Sequence, residues 1–314
     1  MSVVTLGESL GLLVATRIGR LELVPTMDLG FGGAESNVAI GLARLGVPVT
    51  WMGRLGNDAL GRLIERELRA EGVRPAATHD ATAPTALMLK ERPTLGSSAV
   101  SYYRAGSAGS RLGPEHLDVA RIREARILHV TGITAALGAG PRAALEAAID
   151  AAVDGGTIVS FDVNHRSRLW DDATAAASAY REIAARADVV FAGDDEAELL
   201  TGERESAAQA AAIIELGPTQ AVVKLGAEGA YAFADGHTVE QPAFPVHAVD
   251  TVGAGDAFVA GYLAELLAGT PLSGRLRTAA ACGAIACTAP GDWEAAPDRA
   301  AIARLLGVGD PVQR

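Results

Sequence analysis

The stretch Asp250-Thr251-Val252-Gly253-Ala254-Gly255-Asp256-Ala257-Phe258 combines two glycines, a carboxylate and an apolar run. The glycines let the backbone turn tightly and leave its N–H groups unobstructed. The apolar run that follows reads as a helix to about Gly269. A helix starting there aims its free N–H groups and the positive end of its dipole at one spot. Gly253, Ala254 and Gly255 would thus build an anion hole suited to a phosphoryl group in transfer. Asp256 stands at its rim, where a base can take the proton of an attacking hydroxyl. The plainer reading is a glycine turn capped by an aspartate.

Other stretches carry polar groups at places that invite a ligand. Gly32-Gly33-Ala34-Glu35-Ser36-Asn37 opens a helix that closes at Gly46. Gly33 admits a close backbone approach, and Asn37 can hydrogen-bond sugar hydroxyls; an ordinary helix start is the alternative. Tyr102-Tyr103-Arg104 ends a strand and offers two hydroxyls and a guanidinium fork to a polyhydroxy acid. Asp162-Val163-Asn164-His165-Arg166 follows a buried strand, with Arg166 the residue best placed to face an anion. Lys224-Leu225-Gly226-Ala227-Glu228-Gly229 is a strand entering a glycine turn, either a nucleotide loop or a plain hairpin.

These residues need a scaffold. From Ile127 onward, short apolar strands alternate with helices, which implies a parallel sheet covered on both faces. Expected strands lie at 127–130, 157–161, 189–191, 221–224 and 230–233, with helices at 141–153, about 174–186, 195–200, 206–215, 257–268, 273–287 and 297–306. Earlier, Val3 to Leu6 and Val49 to Met52 read as strands and Asn57 to Ala70 as a helix. Segments 10–25 and 85–107 fall outside this rhythm. The first holds β-prone pieces up to Leu21-Glu22-Leu23-Val24. The second reads as a hairpin, Thr85 to Leu89 and Ala99 to Tyr103, around a turn with Pro93 and Gly96. Together they predict a small β-sheet lid inserted in a single α/β domain spanning 1–314. Ligands of such sheets bind beyond the strand carboxyl ends, where the residues above converge.

The chain has 314 residues, 49% of them hydrophobic, enough for one large α/β core. A formal net charge of -11 without a basic run disfavours nucleic acid and anionic membrane as partners. Cys282 and Cys287 lie five apart in one expected helix and face different ways, so no disulfide is expected. The chain enters a strand at once, with neither a signal-like nor a membrane-spanning segment, which predicts a cytoplasmic protein. No G-x-x-x-x-G-K-S/T occurs, so this is not a P-loop enzyme, and no strand leads into a G-x-G-x-x-G.

The string from Asp250 to Phe258 resembles the second signature of the ribokinase-type carbohydrate kinases, and Gly32-Gly33 through Asn37, some 220 residues upstream, resembles the first. The resemblance covers residues 3 to about 300. It implies a three-layer α/β/α sandwich with a mostly parallel sheet and a β lid, and an ATP-dependent kinase needing Mg²⁺, with a monovalent cation such as K⁺ as a further family cofactor. Asp256 would be the catalytic base, with Gly253, Ala254 and Gly255 around the transferred group. Tyr102-Tyr103-Arg104 with the Gly-Ser run after it, Asp162-Val163-Asn164 with Arg166, and Gly291-Asp292-Trp293-Glu294 look like the 2-keto-3-deoxygluconate kinase subgroup. By that analogy Gly33, Asn37, Met88, Tyr102, Tyr103, Arg104, Arg166 and Asp292 contact a sugar acid. Asn164, His165, Arg166, Lys224, Leu225, Gly226, Ala227, Gly229 and Ala280 face the nucleotide, and Glu196 helps organise Mg²⁺.

The chain departs from the family in three places. Gly193 replaces the usual Asn ahead of Glu196, and Ala280 stands where relatives often carry a nucleotide-contacting Asn. Glu8-Ser9-Leu10-Gly11-Leu12 lacks the Asp that ribokinases and fructokinases carry for vicinal hydroxyls, which suits a 3-deoxy sugar. Kinases of fructose or ribose and a non-catalytic sugar or nucleotide sensor are the competing readings. A homodimer or higher homo-oligomer through the lid is expected, because exposed edges and apolar faces invite pairing.

Overall fold

Apolar strands and helices alternate along most of the computed structural model, which describes residues 2–94 and 99–307. The first part contains β1 (Val3–Leu6), β2 (Leu10–Ala15), β3 (Met27–Gly32), α1 (Ala34–Arg44), β4 (Val49–Gly56), α2 (Ala59–Ala70), β5 (Arg74–Asp80), β6 (Leu87–Glu91) and β7 (Ala99–Tyr103). The middle contains α3 (Val119–Glu124), β8 (Ile127–Thr131), α4 (Gly132–Ala136), α5 (Ala139–Gly155), β9 (Ile158–Asp162), α6 (Ala173–Ala184), β10 (Val189–Gly193), α7 (Asp194–Thr201) and α8 (Ser206–Glu215). The last part contains β11 (Gln220–Lys224), β12 (Gly229–Ala234), β13 (His237–Pro242), α9 (Ala254–Leu267), α10 (Leu272–Ala286) and α11 (Arg299–Leu305).

Nine strands form one sheet in the order β13-β12-β11-β10-β9-β8-β1-β4-β5. All neighbours from β11 to β5 are parallel; β12 and β13 add an antiparallel edge. Strand alternation sends Val3 and Val4 to opposite faces. Val3, Val49, Ile127 and Phe191 pack with α1, α2, α9, α10 and α11. Val4, Met52, Leu128 and Phe161 pack with α3 to α8. The result is three layers, with the sheet buried on both faces, as a parallel sheet requires. Cys282 and Cys287 are free thiols. Among the described residues no helix is long and apolar enough to cross a membrane.

The second sheet has four strands in the order β3-β2-β6-β7. Its boundaries correct the expected segment 10–25. Leu21–Leu23 is a 3₁₀ turn, ahead of Pro25, and the partner of β2 is β3, beyond Pro25. The β6–β7 hairpin is present, with its first strand two residues later than expected. The Gly96 of its turn lies outside the described residues. Asp58 caps α2 through Gly61 N at 2.8 Å and also takes Thr85 N at 2.7 Å, which roots the hairpin in the body.

Candidate active site

A cleft of about 880 Å³ lies between the carboxyl ends of the parallel strands and the small sheet. The main sheet supplies Asp162, Gly193 and Lys224 from the ends of β9, β10 and β11, and the small sheet supplies Leu12, Met88, Lys90, Val100 and Tyr102. Gly253, Ala254, Gly255 and Asp256 form part of the floor.

Gly253 caps α9 at φ +74, and a side chain there would run into the carbonyl of Asp292. Only glycine meets both conditions. Ala254 N, the first amide of α9, donates to the Thr251 carbonyl at 3.3 Å, and the turn from Gly253 to Asp256 lines the cleft. Asp256 sits in that turn and receives the Asn37 Nδ2 hydrogen bond at 2.8 Å. Burial pushes its carboxyl up to about 6; Asp162 adds to the rise, while Asn37, Arg166 and Lys224 oppose it. Such a group is ionised at neutral pH yet basic enough to accept a proton.

Two residues before Asn37, Glu35 is buried in the first turn of α1. Its Oε1 accepts from Thr131 Oγ1 at 2.6 Å and Thr134 Oγ1 at 2.9 Å. Its Oε2 has no hydrogen-bond partner among the described residues. Burial holds this carboxyl at about 7.

Lys224 Nζ pairs with both oxygens of Asp162, at 2.8 and 2.9 Å. Burial alone would lower its pKa, but Asp162, Glu196 and Asp256 outweigh it and keep the ammonium charged. Glu196, in the first turn of α7, accepts Gly193 N at 2.6 Å and His165 N at 2.7 Å. Asn164 adopts φ 39, which turns the chain there. Arg166 is exposed at the cleft rim, its Nη1 on the His165 carbonyl at 3.0 Å.

The small sheet turns one face to the cleft. Met88 pairs with Tyr102 and Lys90 with Val100, so these four share that face. Tyr103 pairs with Leu87 on the opposite face and is 64% exposed. Arg104 is spoken for: its guanidinium meets Glu8 Oε2 at 2.6 Å and lies over the Tyr102 ring at 4.9 Å. Burial raises the Glu8 carboxyl despite Arg104 and the Ser107 hydroxyl at 3.1 Å. Asp292 lines the cleft beside Met88 and Gly32, and burial raises it to about 7, with Lys90 opposing.

Of the residues singled out from sequence, the cleft gathers Met88, Tyr102, Asn164, Arg166, Glu196, Lys224, Gly226, Ala227, Gly229, Ala280, Asp292 and the turn from Gly253 to Asp256. Asn37 reaches it through Asp256 rather than by lining it. Gly33 faces the Glu8 carbonyl. Tyr103 does not line it, because adjacent strand residues point oppositely. Nor does the His165 ring, which stands edge-on to Tyr180 with Nδ1 3.0 Å from its hydroxyl. Leu225 packs its side chain on the core and gives its N–H to Gly229. Sequence reasoning missed Lys90, whose signal was its i+2 spacing from Met88 in a strand. It also missed the Phe244-Pro245-Val246 segment, an apolar wall of the cleft with no periodic signature.

Comparison with known proteins gives the family to which this fold and cleft belong. Residues 2–299 match the family model described as pfkB family carbohydrate kinase. The chain is 38% identical to the 2-dehydro-3-deoxygluconokinase of Bacillus subtilis (strain 168), covering 98% of this chain and 95% of the relative. The solved 2-dehydro-3-deoxygluconokinase of Thermotoga maritima superposes with TM-score 0.89 at 28% identity, covering 98% of each chain. A fructokinase from Xylella fastidiosa with bound ATP gives TM-score 0.86 at 27% identity, again covering 98% of each. A carboxylate in a glycine turn, a ribokinase-like sheet with its second small sheet, and a family match over residues 2–299 place this chain in the pfkB family of carbohydrate kinases.

Proposed function

We propose that the chain phosphorylates 2-keto-3-deoxygluconate (2-dehydro-3-deoxygluconate) on its terminal hydroxyl with ATP, giving the 6-phosphate. The observation that carries the reading is Asp256, raised to about 6 by burial in the first turn of α9, in one cleft with the exposed guanidinium of Arg166. A cation over a sugar pocket favours an acidic sugar. The names of the Bacillus and Thermotoga relatives point the same way.

Asp256 takes the proton of the terminal hydroxyl while that oxygen bonds the γ-phosphorus. The bond from the γ-phosphorus to the bridging oxygen breaks, and ADP leaves with the electron pair. The amides from Gly253 to Gly255 stabilise charge on the transferring group. Gly226, Ala227, Phe244 and Ala280 offer the base of the nucleotide a small-residue, apolar wall. Among the described residues no three acidic, His or Cys side chains cluster into a metal cage. Asp162 and Glu196, each already holding protein partners, fit an ion held mainly by phosphates and water. When bound, Mg²⁺ neutralises phosphate charge.

The small sheet acts as a lid within a single domain, and excluding water keeps the hydroxyl of water from competing as acceptor. Its outer face, with Leu29 58% and Tyr103 64% exposed, seats a second copy in a homodimer. A coupled ADP assay over 2-keto-3-deoxygluconate, fructose, ribose and related sugars tests the substrate. The sugar acid should give the highest kcat/KM; a higher value for a neutral sugar rejects it.

A further inference from the structure

Lys90 lies on the cleft face of β6 and is 8% exposed overall. Its Nζ meets Asp250 Oδ2 at 2.6 Å, with 10% and 21% of the two side chains exposed. Asp250 is a junction. Its other oxygen accepts Val252 N at 3.2 Å, inside the loop that leads to Gly253. The Gly291 amide also bonds it, at the turn that carries Asp292. The main chain before it is fixed to the end of α10, where Val249 N and Asp250 N reach the Cys287 carbonyl at 2.7 and 3.3 Å. One ion pair thus joins the small sheet to the loop and turn that shape the floor under the transferred group.

We infer that Lys90 is a positioning residue: acting through Asp250, it couples the seating of the small sheet over the sugar to the shape of the loop from Asp250 to Asp256. The inference rests on the proposed kinase reading of the cleft. Asp250 and Asp292 are both within reach of the Lys90 charge. One ammonium between two carboxylates is already compensated, so its first role is to hold the floor rather than to bind the sugar carboxylate. A buried ion pair with one partner removed leaves the other unpaired, so either loss breaks the same link. With the link broken, the lid rides open and water reaches the γ-phosphoryl group, so ATP is hydrolysed without sugar phosphate being formed.

The test measures ADP and sugar phosphate separately in wild type, Lys90→Met, Asp250→Asn, the double variant and Lys90→Arg. The sugar is whichever the wild type phosphorylates fastest. A wild type that prefers a neutral sugar therefore defeats the substrate assignment and leaves this test intact. Each single variant should lose roughly ten- to fiftyfold in kcat/KM for the sugar, and the double variant should be no worse than the worse single. ADP formed per sugar phosphate should exceed one in Lys90→Met and return to one in Lys90→Arg. The Lys90 pair of variants decides the matter even if Asp250→Asn fails to fold. Additive losses overturn the inference. So does a Lys90→Met enzyme whose ratio stays at one, or one impaired on acidic sugars alone.

Discussion

Asn37 and Asp256 stand 219 positions apart in the chain and meet at 2.8 Å, the Asn37 amide donating to the carboxylate. The bond ties the first turn of α1 to the first turn of α9. It also lowers the proton affinity of the Asp256 carboxylate against the rise that burial imposes. Asn37→Leu should therefore move the acid limb of kcat/KM to higher pH than the value of about 6 expected for wild type. A pH profile from 5 to 9 checks this; an unmoved limb means that the bond does not act on the base.

Asp256→Asn keeps the shape of the first turn and removes its basicity. Turnover should fall by roughly 10²–10⁴, the usual scale of general base catalysis. ATP binding, followed by calorimetry, should be largely kept. Near-normal turnover rejects Asp256 as the base.

Glu35 should show itself in stability rather than rate. Its folded-state value of about 7 lies above the ordinary 4.5. The folded chain then holds a proton that the unfolded chain has lost, so stability falls as pH rises between those values. Glu35→Gln removes this dependence. Between pH 5 and pH 8 the wild type should lose about 2–3 kcal/mol relative to the variant in urea unfolding. Parallel pH curves contradict the assignment of a buried, protonated carboxyl.

Arg166 stands exposed at the rim of the cleft and its charge acts on Asp256. Arg166→Leu should weaken the sugar acid by about 2–4 kcal/mol in kcat/KM, the scale of a lost charged pair. Fructose should be affected far less. Equal losses on both sugars assign Arg166 to the nucleotide or the fold.

Charged substitutions on the outer face of the small sheet should dissociate the proposed dimer. The positions to change are Leu29 and Tyr103, which are exposed, and not Val100, which faces the cleft. Leu29→Lys with Tyr103→Glu should halve the mass seen by light scattering and lower sugar affinity. A wild type that is monomeric and fully active at assay concentration refutes the dimer.

Much of the fold was legible because buried parallel strands announce themselves as apolar runs between helices. β5 and β13 were not, because each is an edge strand paired on one side only. β5 carries Arg74, Pro75 and His79, and β13 carries His237, Glu240 and Gln241, which break any apolar run. The glycine turn and the carboxylate in the helix that follows were legible as a string, since helix-start chemistry is local. The pairs that set the site were not: Asn37 with Asp256, Glu8 with Arg104 and Lys90 with Asp250 are joined only by the fold. Tyr102 and Tyr103 look alike in sequence, and only the phase of β7 separates the one in the cleft from the one outside.

The small sheet has a history that the finished molecule hides. Its two central strands, β2 and β6, run parallel, so no hairpin can join them. During synthesis the β2–β3 hairpin, complete at Gly32, leaves the ribosome about 60 residues before the end of the strand that will cover its open side, Glu91. At about 5–20 residues per second that is a wait of roughly 3–12 s. A lone two-stranded hairpin is marginal in water. Leu10, Leu12 and Leu13 therefore spend those seconds on an unpaired edge, and the nascent chain is most open to mispairing before residue 91 has been made.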